Sequence, residues 1–346
     1  MIIVMRTGAT TEQIQTISDH LGELGFQVHP IFGVEKTVIG AVGAPEVDKY
    51  GAAEQIRAYD FVDDVVFVGK PYKFVAKEYR PEGTVVDVGG VRIGGDEIVM
   101  MAGPCTVESE EQLMETAAAV AKAGARVLRG GAYKPSTSPY SYQGMGVPGL
   151  ELLREAAHRY GLKVITEVMD PRKVELVSQY ADILQIGARN MQNYDLLKEV
   201  GQTRVPVMVK RGFSAKIEEW LLAAEYVAQG GNENIMLCER GIRSFDSAVR
   251  NVLDLSAVPA VKRLTHLPVI VDPSQGTGRR DLVAAMSRAA VAVGADGLII
   301  EVHPHPDHAI KDGAQSMTID GFGEMMPQLE RVAEAVDRRF NGVPVG

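Results

Sequence analysis

The segment at residues 128–144, LRGGAYKPSTSPYSYQG, concentrates residue types that bind and transform anions. Arg129 and Lys134 stand among glycines, prolines, hydroxyls and three tyrosines, with no helical or alternating apolar period. That reads as a long loop, and such loops in compact domains are usually functional. Two cations with hydroxyls and backbone amides suit a phosphorylated anion. A solvated surface loop is the plainer alternative, yet Arg129 closes a buried-looking apolar run. Further ionisable residues close other short apolar runs: Cys105, Glu167, Arg189, Lys210 with Arg211, Glu239 with Arg240, Asp272, and Glu301 with His303. Jointly they describe a cationic pocket for an anionic, phosphorylated substrate. Cys105, Glu301 and Asp312 are also metal-ligand types, with His303, His305 and His308 nearby. A thiolate with carboxylates and a nitrogen ligand suits Mn, Fe or Zn. The plainer readings are a small buried hydrophobe for Cys105 and solvated loop residues for His305 and His308. Cys238 falls inside an apolar run and reads as core.

These residues need a frame, and 346 residues allow one large domain and a small one. A net charge of -9 argues against nucleic acid as a partner. No apolar run reaches the roughly 18–20 residues of a membrane helix, and the N-terminus lacks the features of a secretory signal. Two cysteines give no disulfide framework, which fits a reducing cytoplasm.

Residues 1–70 show the order β-α-β-β-α-β. The runs are 2–6, a helix with Ile14, Ile17, Leu21 and Leu24 on one face, FQVHPIF, KTVIGAV, a helix near 46–58 and a strand at 61–68. Thr11 is a candidate cap for the first helix and Gly25 its end. This order predicts a small ferredoxin-like α+β domain, with regulation or assembly as its role. Residues 71–97 read as a linker (70–81) and a hairpin around Gly89-Gly90. From residue 98 onward, strands are expected at 98–103, 125–129, 163–167, 182–187, 206–210, 234–239, 268–272 and 296–301. Helices are expected between them at about 109–123, 149–160, 171–179, 192–200, 214–229, 246–263 and 279–293, with a last one near 322–340. Near-continuously apolar strands are those of a parallel sheet covered on both faces. Eight β-α units predict a (β/α)8 TIM barrel over 98–346, with the chemistry at the carboxyl ends of its strands.

At this level of detail the chain resembles the 3-deoxy-D-arabino-heptulosonate 7-phosphate (DAHP) synthases, in the subgroup with an N-terminal ferredoxin-like domain. The resemblance rests on AGPCTVES (102–109), the 128–144 segment, TEVMD (166–170), IGARNMQN (186–193), VKRGF (209–213), CERGIRSF (238–245), VDPSQGTGRRD (271–281) and EVHPHPDHAIKDGAQS (301–316). It implies condensation of phosphoenolpyruvate with the aldose phosphate erythrose 4-phosphate, releasing phosphate, at the head of the shikimate pathway to the aromatic amino acids. It implies a divalent metal (Mn, Fe, Zn or Mg) as Lewis acid on the aldehyde, held by Cys105, Glu301 and Asp312. It implies that Arg129, Lys134, Arg189, Lys210 and Arg240 hold phosphoenolpyruvate, that Glu167 positions the attacking water, and that Lys134 donates a proton to C3 or orients it. Asp272 would contact the sugar beside the metal. An aromatic amino acid effector, a homotetramer and a cytoplasmic location are implied as well.

Two positions depart from the family pattern. The histidine of D-P-S-H, a fourth metal ligand, is Gln275 here, whose neutral carbonyl tilts the site toward harder ions such as Mn or Mg. The arginine of K-P-R-T, which contacts the aldose phosphate, is Ser136, followed by Thr137. That change removes a charge-assisted hydrogen bond of roughly 1.5–3 kcal/mol. The two changes leave open a sister enzyme with another aldehyde acceptor, and a non-catalytic binding partner of an active synthase. The retained Lys134 and Glu167 argue against the latter.

Overall fold

The structure, a computed structural model, describes residues 1–33, 35–43, 47–135 and 138–340. Ser136 and Thr137 lie outside the described residues, as does the start of the helix expected at 46–58. The chain forms two compact units, Met1–Pro71 and Tyr72–Gly346.

The first unit runs β1 (Ile2–Met5), α1 (Thr11–Glu23), β2 (Phe26–Phe32), β3 (Thr37–Gly43), α2 (Lys49–Arg57), β4 (Val62–Val66). Its antiparallel sheet has the order β2-β3-β1-β4. Ile14, Ile17 and Leu21, on one stripe of α1, are buried with Ile3, Met5, Ile39 and Ile56. The cap of α1 is Thr10 rather than Thr11, because a reciprocal bond with Gln13 satisfies both ends of the first turn. Gly25 takes a left-handed φ of +87° just past the helix.

The second unit opens on a hairpin, β5 (Val86–Val88) and β6 (Val91–Ile93). The barrel then alternates β7 (Glu97–Gly103), α3 (Glu110–Lys122), β8 (Val127–Arg129), α4 (Val147–Tyr160), β9 (Lys163–Glu167), α5 (Val174–Ser178), β10 (Ile183–Ile186) and α6 (Tyr194–Gly201). It continues with β11 (Val207–Lys210), α7 (Ile217–Gln229), β12 (Ile235–Glu239), α8 (Ala257–Lys262), β13 (Val269–Val271), α9 (Pro273–Thr277), α10 (Arg280–Ala292), β14 (Gly297–Glu301) and α11 (Ile319–Ala335). All neighbours from β7 to β14 are parallel, and β14 returns to β7 from Gly297↔Val99 to Glu301↔Gly103, which closes the (β/α)8 barrel. A short β15 (Arg339–Phe340) flanks β7.

Side chains divide by the period of two that a strand imposes. Met101, Val127, Ile165, Ile183, Met208, Met236, Cys238, Ile270 and Ile299 fill the barrel interior, whereas Met100, Leu128, Val164, Leu184, Val209, Leu237 and Leu298 pack under the helices. The hairpin contributes Val86, Val88, Val91 and Ile93 to the interior cluster, so it closes the amino-terminal end of the barrel. Among the described residues no helix is long and apolar enough to cross a membrane.

Four expectations need correction. The helix expected at 246–263 is only Ala257–Lys262. Before it the backbone is drawn into tertiary bonds, Ile242 pairing with Val252 and Arg250 N donating to Thr277 O at 2.9 Å, which no helix could share. The stretch read as a linker is packed beyond Pro71. Tyr72, Val75 and Ala76 are buried, and the backbone amides of Lys73, Phe74 and Val75 donate to the Glu225 carboxylate at 2.8, 3.1 and 3.0 Å. In addition, the helix expected at 171–179 begins as a 3-10 turn, Pro171–Lys173, and the last helix stops at Ala335.

Ile93 is fully buried in the plug. Ile93→Ala is expected to cost about 2–4 kcal/mol through lost burial and a residual cavity. Urea unfolding read by circular dichroism checks this.

Candidate active site

The strands deliver their last residues to one rim, and a cavity opens there. It is lined by Lys134, Pro135, Glu167, Gln185, Gly187, Ala188, Arg189, Lys210, Phe213, Arg240, Arg250, Gln275, Lys311 and Asp312. Six of these are cations and two are carboxylates, so the lining is strongly positive on a chain of net charge -9.

Beside it, Cys105, Glu301 and Asp312 bring one ligand-type atom each to within 4.8 Å of one another. Glu301 ends β14, Cys105 follows β7, and Asp312 sits in a left-handed turn at φ 52°. The Cys105 thiol donates to Asp312 Oδ2 at 3.1 Å. The Lys134 ammonium stands 2.5 Å from Cys105 Sγ and 3.7 Å from Asp312. Burial pushes the Cys105 thiol up, and the Glu301 carboxylate beside it does the same. Burial works to lower Lys134, but Cys105, Glu301 and Asp312 outweigh it and the ammonium is pushed up to about 12. The donor set, one sulfur and two carboxylates in reach of a single point, fits a divalent ion.

Gln275 lies between the halves of the site. Its Oε1 accepts from Lys210 at 3.3 Å and its Nε2 donates to Glu301 at 3.4 Å. Lys210, almost fully buried, is bound to Asp272 at 2.6 Å. Burial pushes Asp272 up, but Lys210 overcomes it, and the carboxyl stays below its usual range. Asp272 also accepts from Gln275 N at 2.9 Å, capping α9, a turn absent from the sequence-level reading. Arg129 lies behind the cavity, donating to Pro104 O at 2.7 Å and paired with Glu301 at 3.4 Å.

Glu167 ends β9 and lines the cavity with one shielded oxygen, Oε1, lacking a hydrogen-bond partner. Its Oε2 accepts from Gln185 at 3.4 Å. Burial pushes its carboxyl up, against the pull of Lys134 and Lys210. A Cβ at Gly187 would fall 2.0 Å from Oε1, so a side chain here would displace this carboxylate from its position. Arg189 and Arg240 both lie over the Phe213 ring, 5.3 and 4.7 Å from its centroid.

Not every expected residue takes part. Arg211 and Glu239 pair at 2.8 Å, with Asp254 and Gly241 N completing their bonds, and line no part of the cavity. His303 does not replace the missing histidine: its Nδ1 accepts from His305 N at 3.0 Å and its Nε2 meets Glu108 at 3.3 Å. His305 and His308 are exposed. Sequence reasoning overlooked Gln185, Phe213, Arg250, Lys311 and Gln315. Arg250 was hidden inside the misplaced helix, and it donates to Gln315 at 2.9 Å, which in turn donates to Glu301 at 2.8 Å.

A (β/α)8 barrel with a cationic mouth and a thiol–carboxylate cluster at its rim is an enzyme architecture built for phosphorylated anions beside a divalent ion. The comparisons with known proteins place it further. The family described as "DAHP synthetase I family" matches residues 74–338, and "DAHP synthase ferredoxin-like domain" matches residues 1–70. The chain belongs to the DAHP synthetase I family. A Thermotoga maritima protein named phospho-2-dehydro-3-deoxyheptonate aldolase is 50% identical over 341 residues, 99% of this chain and all of that one. A crystal structure under the same name, also described as DAHP synthase, from Thermotoga maritima superposes with a TM-score of 0.94 at 49% identity, covering 98% of this chain and 99% of the other. A 2-dehydro-3-deoxyphosphooctonate aldolase of Syntrophotalea carbinolica is 35% identical over 70% of this chain and 93% of its own length.

Because the Cys105 thiol is held up, binding a metal there must expel its proton, whereas Asp312 is held below its usual range and is already ionised. Metal affinity is therefore expected to rise about tenfold per pH unit between about pH 6.5 and 8.5. Chelator competition checks this, and in Cys105→Ser the slope should flatten. Gln275→His is expected to tighten binding by about tenfold or more by adding a nitrogen ligand next to Glu301. Unchanged affinity would mean that position 275 does not face the ion.

Proposed function

We infer that the chain condenses phosphoenolpyruvate with erythrose 4-phosphate to give DAHP and inorganic phosphate, the first step of aromatic biosynthesis. The observation that carries this reading is the joining of a six-cation cavity to the Cys105–Glu301–Asp312 cluster in a member of this family.

A divalent ion held by that cluster would polarise the acceptor aldehyde. The chain's own groups account for the rest. Arg189, Lys210 and Arg240 supply charge-assisted bonds to the carboxylate and phosphate of phosphoenolpyruvate, with Arg129 reinforcing the charge from behind. In the condensation, C3 bonds to the aldehyde carbon, water adds at C2 and phosphate leaves. Lys134 stays an ammonium at neutral pH and stands between the thiol cluster and the cavity, which supports a role in orienting C3 and in giving a proton to the aldehyde oxygen as it becomes a hydroxyl. Glu167 holds an unpartnered oxygen toward the cavity and has a raised pKa, the properties of a group that positions water and accepts its proton. Asp272 holds the Lys210 side chain in place through their 2.6 Å ion pair.

The test is phosphoenolpyruvate consumption with erythrose 4-phosphate, in chelator and then with Mn²⁺, Zn²⁺ or Mg²⁺. Metal-dependent consumption with stoichiometric phosphate release is expected. Protein that binds phosphoenolpyruvate yet consumes none with this aldose would overturn the reading. Lys134→Ala is expected to lower kcat by at least about a thousandfold with an unchanged circular dichroism spectrum.

A further inference from the structure

The six cations of the cavity differ in what already holds them. Lys210 is bound by Asp272 at 2.6 Å, and Lys134 by Cys105 and Asp312 at 2.5 and 3.7 Å. Arg189 and Arg240 lie against Phe213. Arg250 is engaged with Gln315 at 2.9 Å and Asp312 at 3.4 Å. Lys311 forms no hydrogen bond or ion pair with any described residue, and it is partly exposed. It is also the residue directly before Asp312, whose left-handed turn carries the carboxylate to the thiol cluster. A free ammonium is thus tethered one residue from the place where an acceptor aldehyde is polarised.

This inference rests on the reaction proposed above, and it concerns its second anion. The acceptor carries a phosphate at the far end of a four-carbon chain. With its aldehyde at the cluster, that phosphate must lie further out, away from Arg129 and Lys210, which are nearly fully buried. Segment 134–137 brings a single charge, that of Lys134, because Ser136 is neutral. We propose that Lys311 is the specificity-determining cation for the acceptor, its ammonium taking the distal phosphate of the aldose while the aldehyde faces Cys105, Glu301 and Asp312. A lysine suits this duty: it is a compact, mobile point charge that needs no fixed fork geometry.

The test uses erythritol 4-phosphate, which has the chain and the phosphate but no aldehyde, so it binds without turning over. Calorimetry with the Mn²⁺-loaded, phosphoenolpyruvate-saturated full chain would compare wild type, Lys311→Gln and Lys311→Arg. Lys311→Gln is expected to weaken binding by roughly tenfold to a hundredfold, with Lys311→Arg restoring most of it. In steady-state kinetics the KM for erythrose 4-phosphate should rise by the same factor, with kcat and the KM for phosphoenolpyruvate unchanged. Equal binding by wild type and Lys311→Gln overturns the proposal, as does failure of the wild type to bind the polyol phosphate. A wild type that binds it through Lys311 but consumes no phosphoenolpyruvate with erythrose 4-phosphate overturns the reaction, not the assignment of Lys311.

Discussion

Charge held where water is excluded governs this structure. Lys210, Asp272, Arg129 and Glu301 are each at most 4% exposed, at the top of a barrel whose interior is otherwise apolar. A lone ion in such a place costs several kcal/mol, so each has an opposite charge within 3.4 Å. These pairs explain the rim in detail. Asp272 serves at once as counter-ion to Lys210 and as cap of α9, and that helix presents Gln275 between the two halves of the site. Glu301 answers Arg129 on one side and Gln275 and Gln315 on the other. The apolar barrel is therefore more than a support, because its low polarity is what makes the rim charges depend on one another.

Much of this could be read before any coordinates. Parallel strands covered on both faces must be apolar nearly throughout, so their ends stand out as the first ionisable residue, and Arg129, Glu167, Lys210, Glu239 and Glu301 all fall at the last position of a strand. The ferredoxin-like order of the first unit was equally plain, because most of its turns carry a glycine or a helix cap. What misled was local periodicity without tertiary context. Residues 246–256 carry an acceptable helical pattern, yet their backbone bonds go to Ile242 and Thr277 instead, and Arg250 is thereby turned toward Gln315 and Asn251 toward Gln275.

Charge type alone also failed to separate working groups from structural ones. Arg211 directly follows the strand that Lys210 ends, and Glu239 ends a strand as Glu301 does, but the two satisfy each other at 2.8 Å and leave nothing for a ligand. Phe213, Gln185 and Gly187 had no such signal, being neutral residues whose importance comes only from what they abut. Gly187 is the clearest: the reason for it is a carboxylate twenty positions earlier in the chain, and no local turn rule would have named it.

The hairpin at the amino-terminal end has a consequence for traffic. With Val86, Val88, Val91 and Ile93 wedged into the interior, the barrel is a blind-ended vessel, and everything that enters must leave by the same mouth. A molecule resting among the deepest cations is then shut in by whatever settles above it. In such a vessel the inner guest has to arrive before the outer one, and the order of departure is the reverse. The short ribbon that seals the base, far from any reacting atom, thus imposes a queue.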